Sequence, residues 1–494
     1  MYKLRVAPLL HQLRRLSCTS ISHNRQAYSI MSPPPGLELL RLAPELVENV
    51  IKQLSDKKDL SNVRLACKLL EQHAAKELFK NVYISPEEEH VNSWNSISQD
   101  DVIRRIPRHA IIHTQPDIED HGLGMTRERF QVDEDDEDAP SFEDAIAALS
   151  RFPNLSSLEI GFTPECMGRN AHYWQEVAED ASEREEMLTL IFQAMKDRAT
   201  DEKNRPIRKL TIIHLQNCPT PEFTSSDLFR DVMGQLEELH ICMVQEYNEG
   251  GPDHDYTKIE LQTFPAYFCS HWLKPISANL KALSIYSASD NWGPFPGYFD
   301  PSGIPFPKLE TLALGYYTLA HDKDLNWILA IKSLRKLILH NCMIASWIRI
   351  ENENMAEWKV QTHNWTKMSG GRDWCECFAY DGKWSQYLDR IAEDIPNLVD
   401  FRFGYGKTHG HRFGEPSYGV KDRDSCPVQI FHQRYICFDN GILPTHWPEP
   451  RYEHNEGELH SWLDDGFPIN VHKESLDADQ KSLDALLLML RSRK

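Results

Sequence analysis

The densest set of metal-ligating side chains is Cys375-Glu376-Cys377 together with His409 and His411. Two thiolates and two imidazoles would complete a tetrahedron around zinc. The C-x-C spacing, however, is not that of a chelating C-x-x-C knuckle, and His409-Gly410-His411 lies in a Gly-rich stretch, so no metal site is expected here. Gly404-Tyr405-Gly406 lacks the third glycine of a dinucleotide loop and reads as a turn. The chain contains no G-x-S-x-G, no phosphate-loop motif, no H-E-x-x-H and no G-x-G-x-x-G. With no catalytic constellation and no cofactor motif, the chemistry to explain is binding.

The elements that would carry such binding must come from 494 residues, of which 41% are hydrophobic and 26% charged. That is enough chain for a sizeable core and more than one domain. The formal charge of -20 repels a phosphate backbone and an anionic membrane surface. A nucleic-acid or membrane partner is therefore not expected. Eleven cysteines without dense regular spacing fit a reducing compartment better than a disulfide framework. Residues 1–37 hold Lys3, Arg5, Arg14, Arg15 and Arg25 and no acidic residue. Removing those five charges from the formal -20 leaves -25 for the remainder. This stretch reads as a disordered leader or, as the alternative, a mitochondrial targeting segment. Met31, directly before Ser32-Pro33-Pro34-Pro35-Gly36, is an alternative start. Location in the cytoplasm or nucleus is the leading expectation.

Over 38–84 apolar residues recur at helical spacing: Leu42, Leu46, Val50 and Leu54, then Leu60, Val63 and Leu65. Pro44 falls in a first helical turn, where a missing N–H costs nothing. A module this short buries too little surface to stand alone, so a partner is expected. Leu42-Ala43-Pro44-Glu45-Leu46, Val50-Ile51, Leu54, Asp59-Leu60, Val63-Arg64-Leu65 and Ala66-Cys67-Lys68 resemble the F-box pattern. Ala43 stands at the usual proline position, and Ala66 at the valine of V-C-K. The resemblance implies docking on the Skp adaptor subunit of a cullin-RING ubiquitin ligase, with Leu42, Pro44, Leu46, Val50 and Leu65 on or just behind the interface.

Residues 85–140, ending in the acidic run Asp133–Asp138, read as an irregular linker. From 141 to 440 a pattern L-x-x-L-x-L recurs: Leu155, Leu158, Ile160; Leu210, Ile213, Leu215; Leu236, Leu239, Ile241; Leu280, Leu283, Ile285. It continues as Leu309, Leu312, Leu314; Leu334, Leu337, Leu339; and Leu398, Phe401, Phe403. First positions are 26, 29 and 25 residues apart at 210 to 236, 280 to 309 and 309 to 334, within the range of leucine-rich repeats. Pro153, Pro307 and Pro396 each stand two residues before a first position, where proline favours an extended entry. Cys218 and Cys342 fall three residues after Leu215 and Leu339, at the turn-closing position. The array resembles the divergent leucine-rich repeats of F-box proteins in filamentous fungi.

The sequence thus predicts an α/β chain, a helical F-box followed by an irregular leucine-rich-repeat solenoid, with a C-terminal loop and capping helix over 441–494. Covering helices are expected at Phe142–Leu149 and around Met187, Leu188, Ile191, Phe192 and Met195. The terminal helix would present Leu476, Leu483, Leu486, Leu487 and Leu490. Strand alternation assigns Glu159, His214, His240, Ser284, Ala313, Ile338 and Arg402 to the concave face, as contacts for an unknown target protein. Trp347, Trp358, Trp365, Trp374 and Trp384 crowd one insertion and are expected to pack together. The expected function is target recognition in a Skp, cullin and F-box type ubiquitin ligase. The alternatives are an F-box scaffold acting without ubiquitination and a mitochondrial repeat protein.

Overall fold

The computed structural model describes residues 42–54, 56–116, 141–164, 166–167, 179–245, 259–288, 291–368, 373–406, 426–440 and 472–493. The leader 1–37, the acidic run, His409, His411 and the loop 441–471 lie outside the described residues. The chain forms two compact units. One comprises Met1–Ile112, Pro140–Leu158 and Asp197–Pro206; the other comprises His113–Ala139, Glu159–Lys196 and Ile207–Lys494.

The first unit begins with three helices, α1 (Pro44–Ile51), α2 (Lys57–Ala66) and α3 (Lys68–Leu78). Pro44 opens α1, and the Asp56 carboxylate caps α2 by accepting from the Lys58 N–H at 2.7 Å. Their inward positions, Val47, Val50, Ile51, Leu54, Leu60, Val63, Leu70 and Ala74, close one small core. Strand β1 (Asn81–Ile84) then runs parallel to β2 (His109–His113), with Val82 opposite Ala110 and Ile84 opposite Ile112.

Between these strands lies helix α4 (Glu88–Gln99), which buries Val91, Trp94 and Ser98. The expected irregular linker is therefore folded up to residue 116. Its acidic first turn and polar outer face hide a buried stripe with only two apolar side chains, Val91 and Trp94. Helix α5 (Phe142–Ala147), capped by Ser141, continues as a 3-10 turn over Ala148–Arg151. The Trp94 indole N–H donates to the Ala145 carbonyl at 2.7 Å and ties α4 to α5. Arg198, fully buried, donates to the carbonyls of Phe152, Leu155 and Arg205. Burial without a carboxylate lowers its pKa to about 10.

After β3 (Ser157–Gly161) and helix α6 (Ala181–Ala199) come β4 (Lys209–Gln216), β5 (Glu238–Val244), β6 (Ala282–Ser287), β7 (Thr311–Gly315), β8 (Lys336–His340) and β9 (Asp400–Gly404). In the second unit β4 to β9 pair in sequence order, all parallel. Parallel neighbours need a crossover. Helices such as α6, Asp227–Met233 and Ile259–Tyr267 supply it before β4, β5 and β6. Leu188, Ile191, Phe192 and Met195 form the buried side of α6, as expected.

The leucines align in rows. Leu210, Leu239, Leu283, Leu312, Leu337 and Phe401 are in register, as are Ile212, Ile241, Ile285, Leu314, Leu339 and Phe403. Leu210 is thus the partner of Leu239, not of Leu236, so this unit of the pattern is Ile207, Leu210, Ile212. The distance to Leu236 becomes 29 residues, not 26. The run from Ile207 to Leu215 satisfies the template in two phases, Ile207, Leu210, Ile212 and Leu210, Ile213, Leu215. The pairing register decides, with a bulge at His214, whose φ is +60°, inserting the extra residue.

The insertion between β8 and β9 supplies most of a second sheet. Met343–Glu351 is its centre, antiparallel to Cys375–Tyr380 and parallel to Tyr435–Asp439 and Thr318–Leu319; Trp365–Lys367 adds to the outside. Trp358, Trp365 and Trp384 are buried and Trp347 half-buried, while Trp374 keeps 42% of its surface exposed. Helix α7 (Trp384–Asp394) packs on the terminal helix α8 (His472–Arg493). Leu483, Leu486 and Leu490 of α8 are buried, Leu487 half-buried and Leu476 exposed. Arg493 caps the end of α7 by donating to the carbonyls of Ile395 and Ala392.

Candidate partner-binding surfaces

On the three-helix module the residues expected at a docking surface separate into two groups. Val50 belongs to the module's closed core and Leu42 is half-buried against it. Pro44 is exposed, Leu46 keeps 47% of its surface and Leu65 keeps 83%. Leu69, which the pattern did not single out, is 49% exposed. Leu65 and Leu69 lie four residues apart but in different helices, separated by extended Cys67, so helical periodicity could not pair them. A leucine four-fifths exposed on a module with a completed core does nothing for that core.

The row between the leucines is Thr211, His240, Ser284, Ala313, Ile338 and Arg402. His240, Ser284, Ala313 and Ile338 are all buried, and Ala313 and Ile338 cluster with Cys242, Tyr286 and Cys426. The open concave face expected at these four positions is therefore closed. Parallel strands are normally covered on both sides, and the burial of β5 to β8 is continuous after the first residue of each strand. Burial pushes the Cys242 and Cys426 thiols up to about 12, which leaves them protonated and unreactive.

His240 and Ser284 are brought together, with Nδ1 3.1 Å from the hydroxyl. A serine beside an imidazole can act as nucleophile and base, but both side chains are buried away from any substrate in this state. His214 is displaced from the row by the bulge; Thr211 takes its expected place. The His214 Nδ1–H donates to the Phe162 carbonyl at 2.9 Å, and burial lowers its pKa to about 4. Glu159 and Arg402 are half-buried and retain surface. Arg402 lies 3.6 Å from Asp400.

Sequence reasoning missed the polar cluster beside His214. Glu179, buried, accepts from Thr163 N–H and hydroxyl at 2.9 Å and lies 3.3 Å from Arg184, which donates to the His214 carbonyl at 2.7 Å. Cys342, at the expected turn-closing position, is buried and its thiol donates to the Leu314 carbonyl of the neighbouring strand at 3.4 Å. Cys218 is buried as well. Cys375 and Cys377 are buried on one strand of the second sheet. Among the described residues no group of three or more His, Cys, Asp or Glu could hold a metal ion, and no helix is long and apolar enough to cross a membrane.

No protein-family model matches the chain, and no curated protein matches it significantly.

Proposed function

We propose that the chain is a target-recognition adaptor of a Skp, cullin and F-box type ubiquitin ligase, working in the cytoplasm or nucleus. The observation that carries this reading is the exposure of Leu46, Leu65 and Leu69 on a helical module whose own core is complete. Exposed apolar clusters on a finished fold mark partner surfaces. The motif residues Leu42, Pro44, Leu46, Val50 and Leu65 divide as a docking module requires, with side chains at the surface and support behind it. In this reading 38–84 is the F-box and the parallel strands are an irregular leucine-rich-repeat array. The adaptor does no covalent chemistry: it holds a target protein near a conjugating enzyme and raises its effective concentration. Of the target contacts assigned to the array, Glu159 and Arg402 have surface available, and His240, Ser284 and Ile338 support the strands beneath.

The test is co-expression of the full chain with a Skp subunit, followed by size-exclusion chromatography. A one-to-one complex that Leu65→Asp abolishes supports the reading. A soluble chain that elutes alone overturns it.

A further inference from the structure

Helix α4 carries a second pattern besides its buried stripe. Asn92, Asn95, Ser96 and Gln99 recur at three- and four-residue spacing and line one wall of a cleft of about 530 Å³ in the first unit. Asp144 of α5 and Arg151 of the turn that follows it line the same cleft. The volume lies in the range of ligand-binding clefts. The walls are held by the Trp94 bond to the Ala145 carbonyl beneath them, and Ala148, buried, lines the same cleft. Among the described residues the side chains of Asn95, Gln99 and Arg151 have no hydrogen-bond partner; the Asn92 amide donates weakly to Glu88 at 3.3 Å.

The lining selects its ligand by exclusion. It offers no aromatic face for a flat apolar molecule or a sugar ring. Its single cation and single anion cancel, which suits neither a polyphosphate nor a polybasic segment. What it offers is carboxamides, each a donor and an acceptor side by side, which is the complement of one peptide group. Asn95 and Gln99 are one helical turn apart, about 6 Å along the axis. An extended chain repeats its outward peptide groups at about 6.7 Å. We infer that this cleft binds an extended peptide segment of a partner protein, with Asn95 and Gln99 pairing with its main chain. Asp144 and Arg151 then favour a segment carrying one basic and one acidic side chain. Main-chain pairing makes the site tolerant of sequence, and it stands apart from docking on a Skp subunit.

The probe is the fluorescein-labelled peptide Ala-Lys-Ala-Ala-Ala-Glu-Ala amide, titrated with the full chain and read by anisotropy. Saturable binding is expected, weakened roughly fivefold by Asn95→Ala or Gln99→Ala, the scale of one lost hydrogen bond. A matched probe with an ester replacing the central amide is expected to weaken by a similar factor on the unaltered chain and less on Gln99→Ala. Gln99 is exposed and Asn95 half-buried with no side-chain hydrogen bond to lose, so the thermal midpoint should hold. Co-elution of both variants with a Skp subunit should be unchanged, which separates this site from the adaptor reading. Absence of saturable binding overturns the proposal, as does equal binding by the Asn95→Ala/Gln99→Ala double variant.

Discussion

Arg434 and Asp479, 45 residues apart in sequence, form an ion pair at 2.8 Å with both side chains fully buried. Arg434 also donates to Ser475 and to the Phe431 carbonyl, and Asp479 accepts from the Tyr435 hydroxyl and the Ser385 N–H. A buried pair survives desolvation only when its remaining donors and acceptors are satisfied in this way. The pair therefore fixes where α8 lies on the end of the second unit.

Removing one partner leaves the other charge stranded. Asp479→Ala is expected to destabilise by about 3–5 kcal/mol, measured by urea denaturation. Arg434→Met combined with Asp479→Leu should recover much of that loss. A double variant no better than the single would show that shape, not charge, sets the site.

Asp324 gives a pH dependence of opposite sign to an ordinary carboxylate. Its Oδ2 accepts from the N–H groups of Ala320 and His321 at 2.7 Å, yet burial raises its pKa to about 7. Unfolded, it titrates near the ordinary 3.8. The folded state thus holds the extra proton between these values, and stability falls as pH rises through 7. Asn keeps an acceptor for both N–H groups without ionising. Asp324→Asn should raise stability at pH 8 by about 4 kcal/mol and change little at pH 4, a contrast that thermal denaturation at the two pH values resolves.

Histidines supply the ordinary acid lability. His214 and His321 are both held near 4 by burial, against 6.5 when unfolded. His321 is stacked between His363 and Trp365, and its Nδ1–H donates to the His363 carbonyl. Each stays neutral in the fold while the unfolded chain takes up a proton, so stability is lost as pH falls from about 6.5 to 4. His214→Asn suits the positive φ. It should flatten the slope of unfolding free energy against pH by about 1.4 kcal/mol per pH unit, one proton's worth. An unchanged slope would place that proton uptake on another group.

On the helical module Leu65→Asp and Val50→Asp should part company. Leu65 is exposed, so its substitution should alter stability by about 0.5 kcal/mol or less while abolishing capture by a Skp subunit. Val50 is in the core, and an unpaired charge there should unfold the module. Circular dichroism beside the co-elution assay distinguishes the two, and loss of helix in Leu65→Asp would remove it as evidence for an interface.

Leucines at 239, 283 and 312 were legible in sequence because each sits on a strand with a polar or small residue on either side, and Leu337 followed from its spacing to Leu312. The rows they form are the rows of the structure. At Leu210 the same rule failed, since adjacent isoleucines satisfy two phases and only the backbone pairing tells them apart. Strands β1 and β2 are too short to show alternation above chance. The closure of the inter-leucine face was not legible: Ser284 and Ala313 are small enough for either side of a sheet, and His240 is buried through its contact with Ser284. The second sheet was illegible for another reason. Its central pairing joins Arg349 to Asp439 across 90 residues, a distance over which no periodicity speaks. The exposure of Leu46 and Leu65 followed from the motif, while the amide stripe of α4 lay in a stretch read only for its charge.

The sequence order of β4 to β9 has a consequence in time. Each strand of this set pairs with the next member of the set, so an emerging chain can add them one crossover at a time. Two buried arginines do wait for a later segment: Arg349 for Asp439, 90 residues on, and Arg434 for Asp479, 45 residues on. Until Asp479 arrives the Arg434 guanidinium must stay in water. The docking of α8 is therefore an electrostatic step as much as an apolar one.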